Sequence, residues 1–240
     1  MKRKNLHEQH FRGKRVSDII LGSQDGIVNV LGVVLGVASA TNSPLIVLVA
    51  GIAATFAETI SMAAVAYTST KAERDYYNSE RALEEKEIIE IPEHETEEIR
   101  EIYAKKGFKG KLLNQIVKVI TSNKKVWVDT MMTEELNLSS RFEKSPWKNG
   151  LIVFFATLVG SLVPLIPFFI LSVSSAIIAS LILSVLVLFI IGAIKAKLTI
   201  GSWFGSGVEL ALIGATAALT GYFIGLVVGN AFGTNVLGIG

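Results

Sequence analysis

Residues 151–194 read LIVFFATLVGSLVPLIPFFILSVSSAIIASLILSVLVLFIIGAI, 44 residues without one charged side chain. A soluble domain places charges every few residues on its wet faces, so a run of this length needs lipid as its solvent. One membrane-spanning helix takes roughly 20 apolar residues, and the run has room for two. Ser172, Ser174 and Ser175 mark the break between them, while Pro164 and Pro167 free backbone carbonyls inside the first and predict a kink there.

Working outward, the same logic predicts an all-α integral membrane protein with five spans, at about 18–41, 46–70, 149–171, 175–194 and 206–231. Asn42, Ser43 and Pro44 separate the first two spans, and Lys195 to Ser202 the last two. From Ile19 to Thr70 the only charges are Asp25 and Glu58; from Asn149 onward they are Lys195, Lys197 and Glu209. Ala38-Ser39-Ala40 mimics a signal-peptide cleavage site, but the preceding apolar run is too long and contains Asp25, so it reads as a span. Six Lys or Arg lie in the first 15 residues, fifteen in 71–148 and two at 195 and 197, all on one side of a five-span chain. The positive-inside rule makes that side cytoplasmic. The expected organisation is a basic cytoplasmic N-terminus (1–17), spans 1–2 (18–70), a polar cytoplasmic insert (71–148), spans 3–5 (149–231) and a non-cytoplasmic tail (232–240).

The insert holds 31 of the 44 charges, and its stretch 80–101, ERALEEKEIIEIPEHETEEIRE, has ten glutamates among 22 residues. Thr68 to Glu90 lacks Gly and Pro, so the second span should run on as one helix until Pro92 stops it. Helical spacing of Ile99, Ile102, Tyr103 and Phe108, and of Leu112, Leu113, Ile116, Val117 and Ile120, predicts further helices, interrupted at Gly107 and Gly110. Trp127 is expected in the insert's own core. Glu84 and Glu87 share a helix face, as do Glu95 and Glu98 beyond Pro92. Helices folding back at the proline would bring four carboxylates together, and like charges that close need a cation between them. Met131 and Glu135 are i,i+4 partners, and a thioether beside carboxylates favours a transition metal over Mg²⁺ or Ca²⁺. A solvated acidic face is the plainer alternative. His94 lies within the block; it, His7 and His10 read more readily as solvated loop histidines than as ligands.

Inside the membrane, Asp25, Glu58 and Met62 are candidates for an ion path, because carboxylates in lipid are costly and usually face a cavity or a partner. Glu209 starts the last span and fits an interfacial position. Gly221, Gly225, Gly229 and Gly233 recur every four residues, and Gly32 and Gly36 repeat the interval, a pattern for close helix packing. Trp147 and Trp203 fit interfacial anchors. There is no cysteine, which excludes disulfides and thiolate sites, and no hydrolase or nucleotide-binding fingerprint appears.

Four segments in order resemble the vacuolar iron transporter family: Asp25-Gly26-Ile27-Val28; Ala57-Glu58-Thr59-Ile60-Ser61-Met62 with Tyr67; the paired glutamates around Pro92 followed by Met131-Met132 and Glu135; and Gly160 to Pro167. The likeness runs from residue 17 to about residue 230. The resemblance implies a homodimer of five-span protomers exporting Fe²⁺ from the cytosol in exchange for protons, with Mn²⁺, Co²⁺ and Zn²⁺ as further candidate substrates. It implies Glu84, Glu87, Glu95, Glu98, Met131 and Glu135 as metal ligands of the insert, and Asp25 and Met62 on the translocation path. Glu58 stands where the family usually has Asp, and Ala66 where it usually has Glu. The implied protein is no enzyme, has no permanently bound cofactor, and takes metal ions, protons, the bilayer and a second copy of itself as partners, with no nucleic acid. Its membrane would be the cell membrane in a prokaryote and the vacuolar membrane in a eukaryote. A membrane-anchored ferritin-like ferroxidase and a non-transporting metal sensor are the alternatives. The first normally needs Glu-x-x-His, which is missing here, and neither has a use for Asp25 and Glu58 in lipid.

Overall fold

The computed structural model describes residues 7–138, 145–198 and 201–232, with side chains from residue 16 onward. Residues 1–6 of the expected N-terminal segment and 233–240 of the expected tail fall outside the described residues, as do the side chains of His7 and His10. The described chain is helical throughout, without a strand: α1 (His7–Ala40), α2 (Pro44–Glu90), α3 (Pro92–Lys105), α4 (Gly110–Thr121), α5 (Lys124–Thr130), a π-helical turn (Met131–Glu135), α6 (Pro146–Leu162), a 3₁₀ segment (Val163–Phe169), α7 (Val173–Leu198) and α8 (Trp203–Ala231). Five helices are long and apolar enough to cross a membrane: Val16–Ala40, Pro44–Glu90, Pro146–Phe169, Val173–Leu198 and Trp203–Ala231. This is a multi-pass membrane protein.

Two compact units emerge, one of residues 1–67 and 147–240, the other of residues 68–146. In the membrane unit, α1 is the central helix, with Ile27, Val30, Leu31, Val34 and Leu35 buried. Its close packing is made by glycine. A Cβ on Gly22 would lie 2.9 Å from Thr157 Oγ1, and one on Gly26 2.6 Å from Ser161 Oγ, both on α6. Farther along, a Cβ on Gly36 would lie 2.9 Å from the Gly221 carbonyl oxygen, and Gly225 of α8 has the Gly36 carbonyl and the Ser39 hydroxyl where its own side chain would be. The Gly32/Gly36 and Gly221/Gly225 repeats thus face each other. Ser39 Oγ closes the contact by donating to the Tyr222 carbonyl at 2.8 Å.

Helix α7 buries a line of residues about every four positions, Ala176, Ser180, Ser184, Leu188, Gly192 and Ala196. Its other face exposes Ile178, Ile182, Leu186 and Ile190, as suits contact with lipid. The expected kink takes the form of a 3₁₀ segment. Pro164 and Pro167 each lack an N–H, and the Pro164 carbonyl accepts from Ser180 Oγ at 2.7 Å. Trp147 and Trp203 are exposed in the first turns of α6 and α8, and Trp147 packs on Tyr67 with ring centroids 4.9 Å apart. Glu209 is exposed in the second turn of α8.

The second unit is built from the end of α2, then α3, α4, α5 and the π-helical turn. Pro92 opens α3 at N1 after the non-helical Ile91 (φ −134°), and Gly107 and Gly110 bound the next break with φ of +99° and +59°. The core gathers Tyr77, Ile88, Ile99, Val117, Ile120, Trp127, Val128, Met131 and Met132. Leu112, grouped with the apolar face in the sequence reading, is instead exposed, because α4 turns Val117 and Ile120 inward. The segment expected as an α-turn at Met131 is π-helical: Leu136 N–H donates to the Met131 carbonyl at 3.2 Å, five residues back.

The glycine contacts generate a direct expectation. Gly225→Leu drives a side chain into backbone, so the melting temperature of the detergent-solubilised protein should fall by about 5 °C or more. Gly205→Ala, whose Cβ meets Ser202 Cβ at an ordinary 3.6 Å, should leave it within about 2 °C. Thermal-shift size-exclusion chromatography reads both. Equal melting of the two variants contradicts the packing assigned to α1 and α8.

Candidate metal centre

The break at Ile91–Pro92 folds the chain back on itself. One carboxylate oxygen each from Glu84 and Glu87 of α2 and Glu95 of α3 come to lie within 4.8 Å of one another. The apolar stripes explain which acids go inside. Glu84 precedes Ile88 by four residues and Glu95 precedes Ile99 by four, so each shares the inward face of its helix with a core isoleucine. Glu84 is 5 % exposed and Glu95 2 % exposed, whereas Glu87 and Glu98 are half-buried and Glu135 is exposed.

The electrostatics leave this cluster without a protein counter-charge. Arg81 is taken by Asp129 at 2.9 Å and Glu85 at 3.3 Å, Arg100 by Glu97 at 3.0 Å, Lys86 by Glu90 at 3.7 Å, and Lys106 by Glu134. Among the described ion pairs none uses Glu84, Glu87, Glu95 or Glu135. The nearest cationic candidate is His94, whose Nε2 is 3.5 Å from Glu98 Oε1. Oε2 of Glu84 and Oε2 of Glu95 are buried with no hydrogen-bond partner. Burial pushes both carboxyls up to about 7, and the surrounding carboxylates add to it: Glu135, Glu95, Glu87 and Glu98 for Glu84, and Glu98, Glu87 and Glu135 for Glu95. Glu135 is raised as well, by the partial loss of water around its carboxyl and then by Glu98 and Glu87, with His94 opposing. Five of the six expected ligands therefore feel one another's charge. The sixth, Met131, is fully buried at the start of the π-helical turn, in the same core cluster as Ile99. The grouped and unpaired oxygens of Glu84, Glu87 and Glu95 can hold a divalent cation, with the ion supplying the missing charge.

In the membrane unit, Asp25 of α1 and Glu58 of α2 are half-buried, and Met62 follows Glu58 by one turn. Asp25 and Asn29 of α1 are the side chains that interact with the Glu58 carboxyl of α2. Asn29 was not singled out from the sequence. The available signal was its position, four residues after Asp25 and so on the same face of α1.

The VIT family model matches residues 16–226. The chain is 36% identical to vacuolar iron transporter 1 of Eucalyptus grandis over 217 residues, 90% of this chain and 87% of that protein. It is 34% identical to vacuolar iron transporter 1 of Arabidopsis thaliana, covering 92% of this chain and 89% of the relative. It is 30% identical to the vacuolar iron transporter of Plasmodium falciparum, covering 93% and 86%. The chain belongs to the VIT family.

The raised carboxyls set a pH dependence. Between the ordinary 4.5 and about 7 the folded, metal-free unit binds more protons than the unfolded chain. Its stability therefore falls as pH rises through that window and levels off above it. A cation must displace the same protons, so its affinity rises with pH, about tenfold per unit for each proton released, up to about pH 7. Calorimetric titration of the full-length protein with Co²⁺ between about pH 5.5 and about pH 8 checks this. An affinity independent of pH would show that these carboxyls do not hold the ion.

Proposed function

We propose that this member of the VIT family transports divalent transition metal, with Fe²⁺ as its principal substrate, out of the cytosol in exchange for protons. The names of its relatives support iron as the substrate class. The observation that carries the reading is the Asp25–Glu58 carboxyl pair inside two apolar spans. Moving even one unit charge into hydrocarbon unassisted costs on the order of 20 kcal/mol in the idealised limit, so a crossing ion needs fixed oxygens to replace its water. Two carboxylates balance the charge of one divalent ion, and the same oxygens can take protons when the ion leaves, so proton and metal can occupy the same place in turn. Met62 adds a thioether one turn away, which suits Fe²⁺ better than Mg²⁺. Ala66, standing where the family usually has Glu, removes one carboxylate from this part of α2.

The insert, 71–148, is proposed to be cytoplasmic and to gather metal through Glu84, Glu87, Glu95, Glu98, Met131 and Glu135. The functional unit is proposed to be a homodimer. Its placement in a prokaryotic cell membrane or a eukaryotic vacuolar membrane gives the same direction, away from the cytosol.

The two sites should fail differently. In proteoliposomes carrying an internal pH dye, Asp25→Asn should abolish uptake and the coupled pH change at every metal concentration, a loss of about 100-fold or more. Glu95→Gln should keep the maximal rate and raise the half-saturating concentration about three- to tenfold, because it lowers capture without touching the membrane path. Wild-type maximal flux from Asp25→Asn would sink the reading. Topology has its own check: the native chain lacks cysteine, so a single cysteine appended to the C-terminus should react with an impermeant maleimide from outside intact cells. Reaction only from the cytoplasmic face would reject an odd number of spans.

A further inference from the structure

We infer that α4 and the start of α5 form a docking surface for anionic phospholipid headgroups. The surface belongs to the insert alone and is independent of the metal that the protein carries.

Charge in the insert is segregated along the chain. Residues 80–101 hold ten glutamates, whereas residues 102–128 hold no acid and seven lysines. Two of the seven are paired, Lys105 with Glu101 at 3.5 Å and Lys106 with Glu134. Lys109, Lys111, Lys118, Lys124 and Lys125 are exposed and take part in none of the described ion pairs. A face kept charged only for solubility would intersperse acids with its bases, as α2 and α3 do at Lys86–Glu90 and Arg100–Glu97. The unpaired lysines therefore present positive charge that no acid of the protomer offsets locally.

Apolar side chains stand among these lysines. Leu112 is 53 % exposed, Val119 67 % and Val126 44 %. On α4, Lys111 and Lys118 are seven residues apart, and Leu112 and Val119 repeat the interval. Two lysines and two apolar side chains thus run in adjacent rows along the outward side, while Val117 and Ile120 enter the core. The corner Ser122–Asn123 then leads directly into Lys124 and Lys125. Asn123 Oδ1 fixes that corner by accepting from the Lys125 and Val126 N–H groups at 3.0 and 3.2 Å. An acidic peptide would be met by the bases alone. Lysine with exposed Leu and Val fits a bilayer interface, where ammonium groups meet phosphate and the apolar side chains enter beneath it. The chain enters the insert along α2 without a break and leaves it into α6, and both helices include apolar spans. Docking on lipid is therefore intramolecular in character, which favours even a weak surface.

The test uses the full-length protein, whose lack of cysteine allows Ser122→Cys to carry a single environment-sensitive fluorophore. It is placed in nanodiscs of phosphatidylcholine alone or with about 30 % phosphatidylserine. Quenching by spin-labelled lipid should be about twofold or more stronger with phosphatidylserine. It should return to the phosphatidylcholine level in about 0.5 M NaCl, where the Debye length is about 4 Å. Each lysine at such a surface contributes about fivefold to docking, so replacing Lys111, Lys118, Lys124 and Lys125 together by Gln should abolish the difference. These side chains are exposed and unpaired, so the variant should keep the wild-type melting temperature. A label at Glu93→Cys, in the acidic stretch, should not respond to lipid charge. Equal quenching of the Ser122 label in the two lipids, as contact with a second copy would give, overturns the surface. So does an unchanged response in the four-lysine variant, or an equal response from the Glu93 label.

Discussion

Helix α1 is held on two flanks by backbone approaches that leave no room for a side chain, at Gly26 against α6 and where Gly221 and Gly225 of α8 meet the Gly32 and Gly36 carbonyls. Lipid supplies no hydrophobic drive between helices, so their association depends on close van der Waals fit and on hydrogen bonds such as Ser39 to the Tyr222 carbonyl. The proposed functional groups depend on this clamp, because it fixes the side of α1 on which Asp25 stands toward Glu58 of α2. A carboxyl pair in hydrocarbon tolerates little displacement, since each group would be left unpaired.

The polar unit solves the opposite problem. There, water is available, yet the fold withdraws Glu84 and Glu95 from it by placing them on the isoleucine-bearing faces of their helices. Arg81, Lys86, Arg100 and Lys106 are committed to Asp129, Glu85, Glu90, Glu97 and Glu134. The acids that remain are the ones no lysine or arginine reaches. Glu84, Glu87 and Glu95 are thus already grouped, with Glu84 and Glu95 withdrawn from water and no lysine or arginine bridged to them.

Much of this was legible in the sequence. Spans show because lipid forbids charge over long runs, and Pro92 shows because proline cannot continue a helix. The clustering of Glu84, Glu87 and Glu95 followed from i,i+3 spacing on either side of that break. What the residues did not reveal is which acids go inside. That depends on the register of each glutamate against Ile88 and Ile99, a tertiary matter, although the four-residue offsets were there to be read. The π-helical turn at Met131 was hidden because its composition suits an α-helix equally well. Asn29 was hidden because a lone asparagine in a span acquires meaning only when the helix opposite it is known.

The 3₁₀ segment carries one more consequence, for how the third span fits its surroundings. Its seven residues rise about 14 Å, at about 2.0 Å each, where an α-helix of the same length would rise about 10.5 Å. Added to the 17 residues of α6, this gives a reach of about 39 Å, equal to the reach of the 26-residue α7 from 24 residues. The two prolines therefore act as a length adjustment. Without them this span would fall about 3–4 Å short of its neighbour, and the bilayer would have to thin locally or Trp147 be drawn below the headgroups.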